Sequence, residues 1–285
     1  MYYLKPGTSV GCFAVKENVP GDPSGGHTYY YNEKFENYID EIKKAGFYSI
    51  ELVLCDLWKQ SGVDQAMPSV YRAIDVVKNS GVKINSVHMP FGGGVDFNFA
   101  SPSENLRKLA ISNAIKICEY FKDDMPSYFN VHPGVYKPDV DDKEVCFKQL
   151  IKSMCEIDKL TNAKIVVENM TNKGLLYSSE EARRFLDNCP ADMLVDLNHM
   201  LFESPENYLR TVGSRLKGIH VSDRDAEKEC HYLPGDGILD WQSIIKTLEE
   251  IKFNGVFNYE VSMRLGYTYN DVINNYKQLF NTYNK

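Results

Sequence analysis

Apolar runs along this 285-residue chain repeatedly stop at a residue able to bind a metal or carry a proton. Val87 leads to His88, Val131 to His132, Val167 to Glu168, Val195 to Asp196 with His199 three residues on, Ile219 to His220, and Tyr259 to Glu260. Five of the six histidines, all but His27, lie in these stretches or in the loops just after them. A carboxylate that closes a hydrophobic strand is costly to bury unless something pairs with it, and burial alone pushes it towards protonation. The sharpest case is residues 164–171, KIVVENMT, where Ile165, Val166 and Val167 end abruptly in Glu168 and Asn169. Imidazoles and carboxylates collected at strand ends are the donors of one metal site.

The elements that must position them follow from periodicity and punctuation. Strands are expected at residues 8–14, 47–54 (with Glu51), 82–88, 128–131, 164–171, 193–197, 216–221 and 255–261. Helical stripes follow: Phe35, Tyr38, Ile39 and Ile42, ended by Gly46; Val70, Ala73, Ile74 and Val77, ended by Gly81; and Leu106, Leu109, Ala110, Ala114 and Ile117. Further helices are expected over 143–160 and 179–188, from Ser204-Pro205, behind Asp240 as N-cap (Trp241, Ile244, Ile245, Leu248), and through Val272, Ile273, Tyr276, Leu279 and Phe280. The third helix is expected to start at Ser101 as N-cap, with Pro102 in the first turn and Glu104 three residues on. Residues 19–32 read as a loop holding His27, with Tyr29, Tyr30 and Tyr31 placed to cap a site or pack on a partner; residues 231–237 read as a polar loop. Eight strand–helix units imply parallel strands and a closed α/β architecture, a (β/α)8 TIM barrel forming a single domain over 1–285. A doubly wound sheet is disfavoured, because no glycine-rich phosphate loop follows the first strand and Phe91-Gly92-Gly93-Gly94 matches no phosphate fingerprint.

The totals narrow the function class. Charged residues make up 25% and apolar residues 43%, ordinary globular values. A net charge of −7 argues against non-specific nucleic-acid binding. The first ten residues, MYYLKPGTSV, lack a secretory h-region, and no run approaches the ~20 apolar residues of a membrane helix. Seven dispersed cysteines without C-x-x-C read as reduced thiols in a cytoplasmic protein.

In a barrel the C-terminal strand ends open on one face, so Glu168, Asp196, His220 and Glu260 would come from strands five to eight. Three carboxylates and one imidazole suit one divalent ion, Mn, Co, Mg or Zn. His88 and His132 would bind a second metal, hydrogen-bond a substrate, or serve structurally. His199 would orient a substrate oxygen or add a ligand. Glu229 and His231 fall on one side of an extended segment, with Cys230 pointing away and inert. Asp223 and Arg224 read either as an anion contact by Arg224 or as a solvated loop pair, and Lys173 as an anion contact or a bystander. Asn169 is expected to hydrogen-bond behind the ligands.

The segments VVENMTNKG, VDLNH, HVSDRD, ECHYLPGDGILDW and the final YE, in that order, resemble the xylose isomerase-like TIM-barrel superfamily (AP endonuclease family 2). HMPFGGGVDF followed by SPSENLRKLAIS resembles its sugar phosphate isomerase/epimerase branch. The resemblance implies a metal held by Glu168, Asp196, His220 and Glu260, with Glu168 and Glu260 also the acid/base pair. It implies proton transfer next to the carbonyl of an open-chain sugar through a metal-stabilised enediolate, with His199 and Arg224 on substrate oxygens. The expected activity is therefore a divalent-metal-dependent sugar isomerase or epimerase of carbohydrate metabolism. Its partner would be a small-molecule carbohydrate, not nucleic acid or a membrane, and it could form a homo-oligomer. The main alternative is an endonuclease IV-like abasic-site nuclease with additional zinc, three ions held by His88, His132, Glu168, Asp196, His199, His220, Glu229, His231 and Glu260. Glu229 departs from that pattern, which has Asp, and MPFGGG replaces the longer DNA-penetrating loop. A keto-cyclitol or keto-acid dehydratase needs the same enolate chemistry, and a non-enzymatic sugar-binding protein would leave both glutamates idle.

Overall fold

Parallel strands are covered on both faces, so a strand in such a sheet must be apolar almost throughout, and the runs described above meet that condition. In the computed structural model they pair as expected; the structure describes residues 1–16, 28–54, 63–91, 95–171 and 174–285. The barrel strands are β1 (Lys5–Gly11), β2 (Ser49–Val53), β3 (Lys83–His88), β4 (Tyr128–Val131), β5 (Ile165–Glu168), β6 (Asp192–Asp196), β7 (Leu216–Val221) and β8 (Val256–Tyr259). Each is parallel to its neighbours, and β1 closes the cylinder by pairing with both β8 and β2. The helices α1 (Phe35–Ala45), α2 (Val63–Ser80), α3 (Glu104–Tyr120), α4 (Lys143–Leu160), α5 (Ser179–Asn188), α6 (Pro205–Val212), α7 (Trp241–Glu250) and α8 (Tyr269–Tyr283) alternate with them. Among the described residues no helix is long and apolar enough to cross a membrane.

Local chemistry sets the helix ends. Gly46 takes a left-handed φ of 96°, and its N–H reaches the Ile42 and Lys43 carbonyls, so α1 stops where a residue without Cβ can turn the chain. Asp142, Ser178, Ser204 and Asp240 accept first-turn N–H groups of α4, α5, α6 and α7. Phe35, Ile39 and Ile42 of α1 are fully buried, at ~1.5–3 kcal/mol for each large apolar side chain taken from water.

Three local expectations are corrected. β1 begins at Lys5 and ends at Gly11, and Phe13–Lys16 is a separate strand that pairs antiparallel with Thr28–Tyr31. Tyr29, Tyr30 and Tyr31 are thus hairpin residues, with the Tyr31 ring beneath the Arg72 guanidinium; His27 lies outside the described residues. The α3 helix starts at Glu104, not after Ser101. Ser101 Oγ instead accepts from Ser103 N at 3.2 Å, and the Glu104 carboxylate is taken by Arg107 at 2.9 and 2.7 Å instead of reaching back as a cap. Residues Glu229–Tyr232 are a strand paired with Asp223–Arg224.

That last hairpin is fixed by Asp223. Its carboxylate is fully buried and accepts from Arg224 N (2.9 Å), Gly235 N (2.9 Å), Leu239 N (3.1 Å) and Trp241 Nε1 (2.8 Å). A Cβ at Gly237 would come within 2.3 Å of both Asp223 Oδ1 and the Arg224 carbonyl, so the turn closes only on a glycine. Replacing Asp223 with Ala strands these donors and is expected to cost about 2–4 kcal/mol in urea unfolding; a loss under about 1 kcal/mol would show that the turn stands without it.

Candidate active site

Glu168 ends β5, almost wholly buried, and the other strand ends deliver their polar groups to it. Its Oε2 accepts from Asn130 Nδ2 at 2.5 Å and lies 3.2 Å from His88 Nε2 and 3.5 Å from His132 Nε2. Its Oε1 lies 3.4 Å from His220 Nδ1. His220 Nδ1 is also 3.1 Å from Glu260 Oε2. Two groups of donors therefore share Glu168: His88 and His132 on one side, and Asp196, His220 and Glu260 on the other, each group with ligand atoms within 4.8 Å of one another. Glu260 keeps about a quarter of its side chain exposed, so the second group faces the barrel mouth.

The remaining candidates lie along the same rim. His199 Nε2 stands 3.2 Å from Asp196 Oδ2 and 3.1 Å from Glu229 Oε2. His231 has a left-handed φ of 52°, uncommon for a residue with a side chain, and its Nδ1 reaches the Glu260 carbonyl at 2.9 Å. Arg224 is buried and not a solvated loop residue. Its guanidinium donates to the Asp225 carbonyl at 2.7 Å and to the Met200 carbonyl, tying the segment after His199 to the hairpin that carries Glu229. Cys230 is held by Asp225 Oδ2 at 3.3 Å; Lys173 lies outside the described residues.

The imidazoles are oriented so that a lone pair meets the carboxylates. His88 Nδ1 contacts the Met89 carbonyl (2.9 Å), His199 Nδ1 the Asn169 carbonyl (2.8 Å), and His220 Nε2 the Glu51 carboxylate (2.7 Å). Only a ring N–H can satisfy those acceptors, which fixes each neutral tautomer and aims the other nitrogen at Glu168, Asp196, Glu229 or Glu260. A neutral ring then presents a lone pair to a carboxylate oxygen, which is repulsive unless a proton or a cation sits between them. Asp196 Oδ2, His220 Nδ1 and Asn130 Oδ1 are buried with no hydrogen-bond partner. These donor types, the fixed tautomers and the orphaned atoms fit a divalent cation bound by Glu168, Asp196, His220 and Glu260.

Without a metal, a proton takes the cation's place between His220 and the carboxylates. Burial alone would raise Glu168, but His220 and His132 hold it well below the usual carboxylate range. Burial likewise opposes His220, which Glu260, Glu51 and Glu168 draw up well above the ordinary imidazole value. Glu260 is lowered to about 2 against the penalty of burial, chiefly by His220. Asp196 is raised to about 6 by burial, an effect that His199 opposes and the neighbouring Glu260 and Glu168 reinforce.

Glu51 is the residue whose role the sequence hid. It sits inside β2, completely buried, and its carboxylate takes Ser9 Oγ (3.1 Å) and Ser86 Oγ (3.0 Å) besides His220. A lone carboxylate inside an apolar strand of a two-sided sheet was the available signal. Asn169 exchanges two hydrogen bonds with the Asp196 backbone, 2.7 and 3.1 Å. Phe91 stacks on His132 with ring centroids 4.2 Å apart and covers that side of the cluster.

Two outcomes are expected. Replacing Glu51 with Gln frees the His220 tautomer and should weaken divalent-metal binding about 10–100-fold in a chelator competition, with the fold retained by circular dichroism. Unchanged affinity would remove Glu51 from the site. Because metal must displace both the proton that burial keeps on Asp196 up to about pH 6 and the one on His220, held well above the ordinary imidazole value, affinity should rise with pH through pH 6 and beyond, and calorimetry should show proton release on binding; a pH-independent affinity would contradict it.

Comparison with known proteins places the fold. The sequence pattern of the xylose isomerase-like TIM barrel family matches residues 39–278. A D-psicose 3-epimerase from Ruminiclostridium cellulolyticum is 23% identical over 263 residues, 87% of this chain and 85% of that protein. An uncharacterized protein of Methanocaldococcus jannaschii is 24% identical over 173 residues, 58% of this chain and 66% of that protein. Among solved structures, D-psicose 3-epimerase from Clostridium cellulolyticum superposes with a TM-score of 0.69 at 19% identity, over 98% of this chain and 92% of that one. Endonuclease IV from Thermus thermophilus superposes at 0.63 and 15% identity, over 98% and 99%. The chain belongs to the xylose isomerase-like TIM barrel family.

Proposed function

We propose that the protein is a divalent-metal-dependent sugar isomerase or epimerase, and the observation that carries this reading is the pair Glu168 and Glu260 converging on His220 Nδ1. Both glutamates lie within 3.4 Å of its Nδ1, one buried and one open to the mouth. A divalent ion held there by Glu168, Asp196, His220 and Glu260 would polarise a carbonyl and an adjacent hydroxyl of an open-chain sugar. Glu260, held ionised and reachable from solvent, is suited to take a proton from the carbon beside the carbonyl. Glu260 would then return its own proton at the neighbouring carbon for isomerisation; for epimerisation Glu168 would have to carry a proton at the start and give it from the opposite face, while Glu260 keeps the one it took. Asn130 Nδ2 fixes the Glu168 carboxylate at 2.5 Å, and Phe91 walls the cluster from water on the His132 side. The epimerase relatives support a small carbohydrate as substrate.

A second reading is favoured by one feature. Glu168 joins two donor groups, and His199 with Glu229 begins a third beside His231, an arrangement that three zinc ions of an abasic-site nuclease would use. The likeness to endonuclease IV is consistent with it. Elemental analysis of protein purified without chelator separates the two: about one divalent ion per chain supports the isomerase, and about three zinc ions supports the nuclease. Under the isomerase reading, ketoses incubated in deuterium oxide should gain label beside the carbonyl. Glu168→Gln and Glu260→Gln should each lower that exchange about 10²–10⁴-fold while the fold persists. Label exchange that survives both changes would sink the acid/base assignment.

A further inference from the structure

The opposite end of the barrel carries a second constellation. A lysine stands at the N-terminal end of each alternate strand: Lys5 opens β1, Lys83 opens β3, Lys164 immediately precedes β5, and Lys217 is the second residue of β7. Alternate strands thus bring a lysine to the same end of the barrel. Three of them, Lys5, Lys164 and Lys217, line a depression of about 330 Å³ at the axial N-terminal mouth. Tyr48, Asn85, Ser127 and Asn254 complete its polar wall, and the buried Tyr128 bounds it as well.

The charge there is unbalanced. Asp192 is the carboxylate that meets these cations among the described residues, and it serves Lys164 (3.0 Å), Lys217 (3.7 Å) and Arg215 (2.5 Å) together. Lys5 and Lys83 converge instead on Tyr48: Lys5 Nζ lies 4.2 Å from the ring centroid, and Lys83 Nζ donates to the phenol oxygen at 3.3 Å. Their presence holds the Tyr48 phenol below its ordinary value. Arg215 also donates to the Cys189, Pro190 and Ala191 carbonyls, which leaves Lys5, Lys164 and Lys217 at the depression with one shared carboxylate and an excess of positive charge that a small anion would offset, in a protein of net charge −7. Lysine heads supply the charge, while the amide N–H groups of Asn85 and Asn254 supply neutral donors to oxygen atoms; Ser127 Oγ donates to Asn85 Oδ1 at 3.3 Å and so orients that amide. The volume suits a small ligand.

We propose that the N-terminal mouth of the barrel is a binding site for a small phosphate-bearing anion, held by Lys5, Lys164 and Lys217 with Asn85 and Asn254. This site is independent of the chemistry at the other mouth. The probes are inorganic phosphate and pyrophosphate, titrated calorimetrically into the intact protein at fixed low ionic strength. One anion per chain is expected, with a dissociation constant on the order of 1 mM or tighter. Lys5→Glu alone and Lys5→Gln with Lys217→Gln should each weaken binding about tenfold or more, and added salt should weaken it in the wild type. Glu168→Gln, at the other mouth, should leave the affinity within about twofold. No binding to the wild type, or binding untouched by both lysine variants, overturns the proposal. Binding lost only in Glu168→Gln would place the anion at the candidate active site and overturn it equally.

Discussion

One buried carboxylate facing several imidazoles is the constraint on which the upper half of this barrel depends. Glu168 is out of water, and the cost of leaving it there charged would be several kcal/mol were it unpartnered. His88, His132 and His220 surround it, each from a different strand, and Asn130 secures it from β4. Two of those partners have their orientation held from behind, His88 by the Met89 carbonyl and His220 by the Glu51 carboxylate, and the Asn169 carbonyl does the same for His199 beside them. The arrangement is stable as a network because each member satisfies another; orphaned atoms within it stand where a cation fits.

The barrel itself serves this network by geometry. Parallel strands end together on one face, so six residues far apart in sequence meet without any of the intervening loops being asked to place them. The loops act one layer out. Arg224 pins the Met200 carbonyl, and Asp223 gathers the turn through Trp241, so the hairpin bearing Glu229 and His231 is a rigid edge and not a free excursion.

The eight strands were legible because a strand buried on both faces leaves a nearly continuous apolar run, and the polar residue closing the last six runs announced the converging side chains. What stayed hidden was whatever depended on partners remote in sequence. Asp223 looked like a surface charge because the four donors that bury it come from 1 to 18 residues further on, with no periodic signature. Arg224 read equally as an anion contact or a solvated loop residue, because nothing local shows that its guanidinium is buried and ties two backbone carbonyls together. Ser101 looked like a helix cap, but the Glu104 side chain found a stronger partner in the buried Arg107. Glu51 was visible as a charge inside a strand, yet its meaning lay in His220, 169 residues away.

The two ends of the cylinder carry opposite charge: carboxylates gather at one mouth and lysines at the other. Imidazoles offset part of the charge at the first mouth, so the asymmetry along the axis is carried chiefly by the lysines at the second. Near a charged surface such a molecule does not present itself at random, because the field gradient turns one mouth towards an anionic layer and the other towards a cationic one. Immobilised on an anionic support, the chain would rest on its lysine floor and hold the carboxylate mouth open to solution, an orientation that net charge alone does not predict.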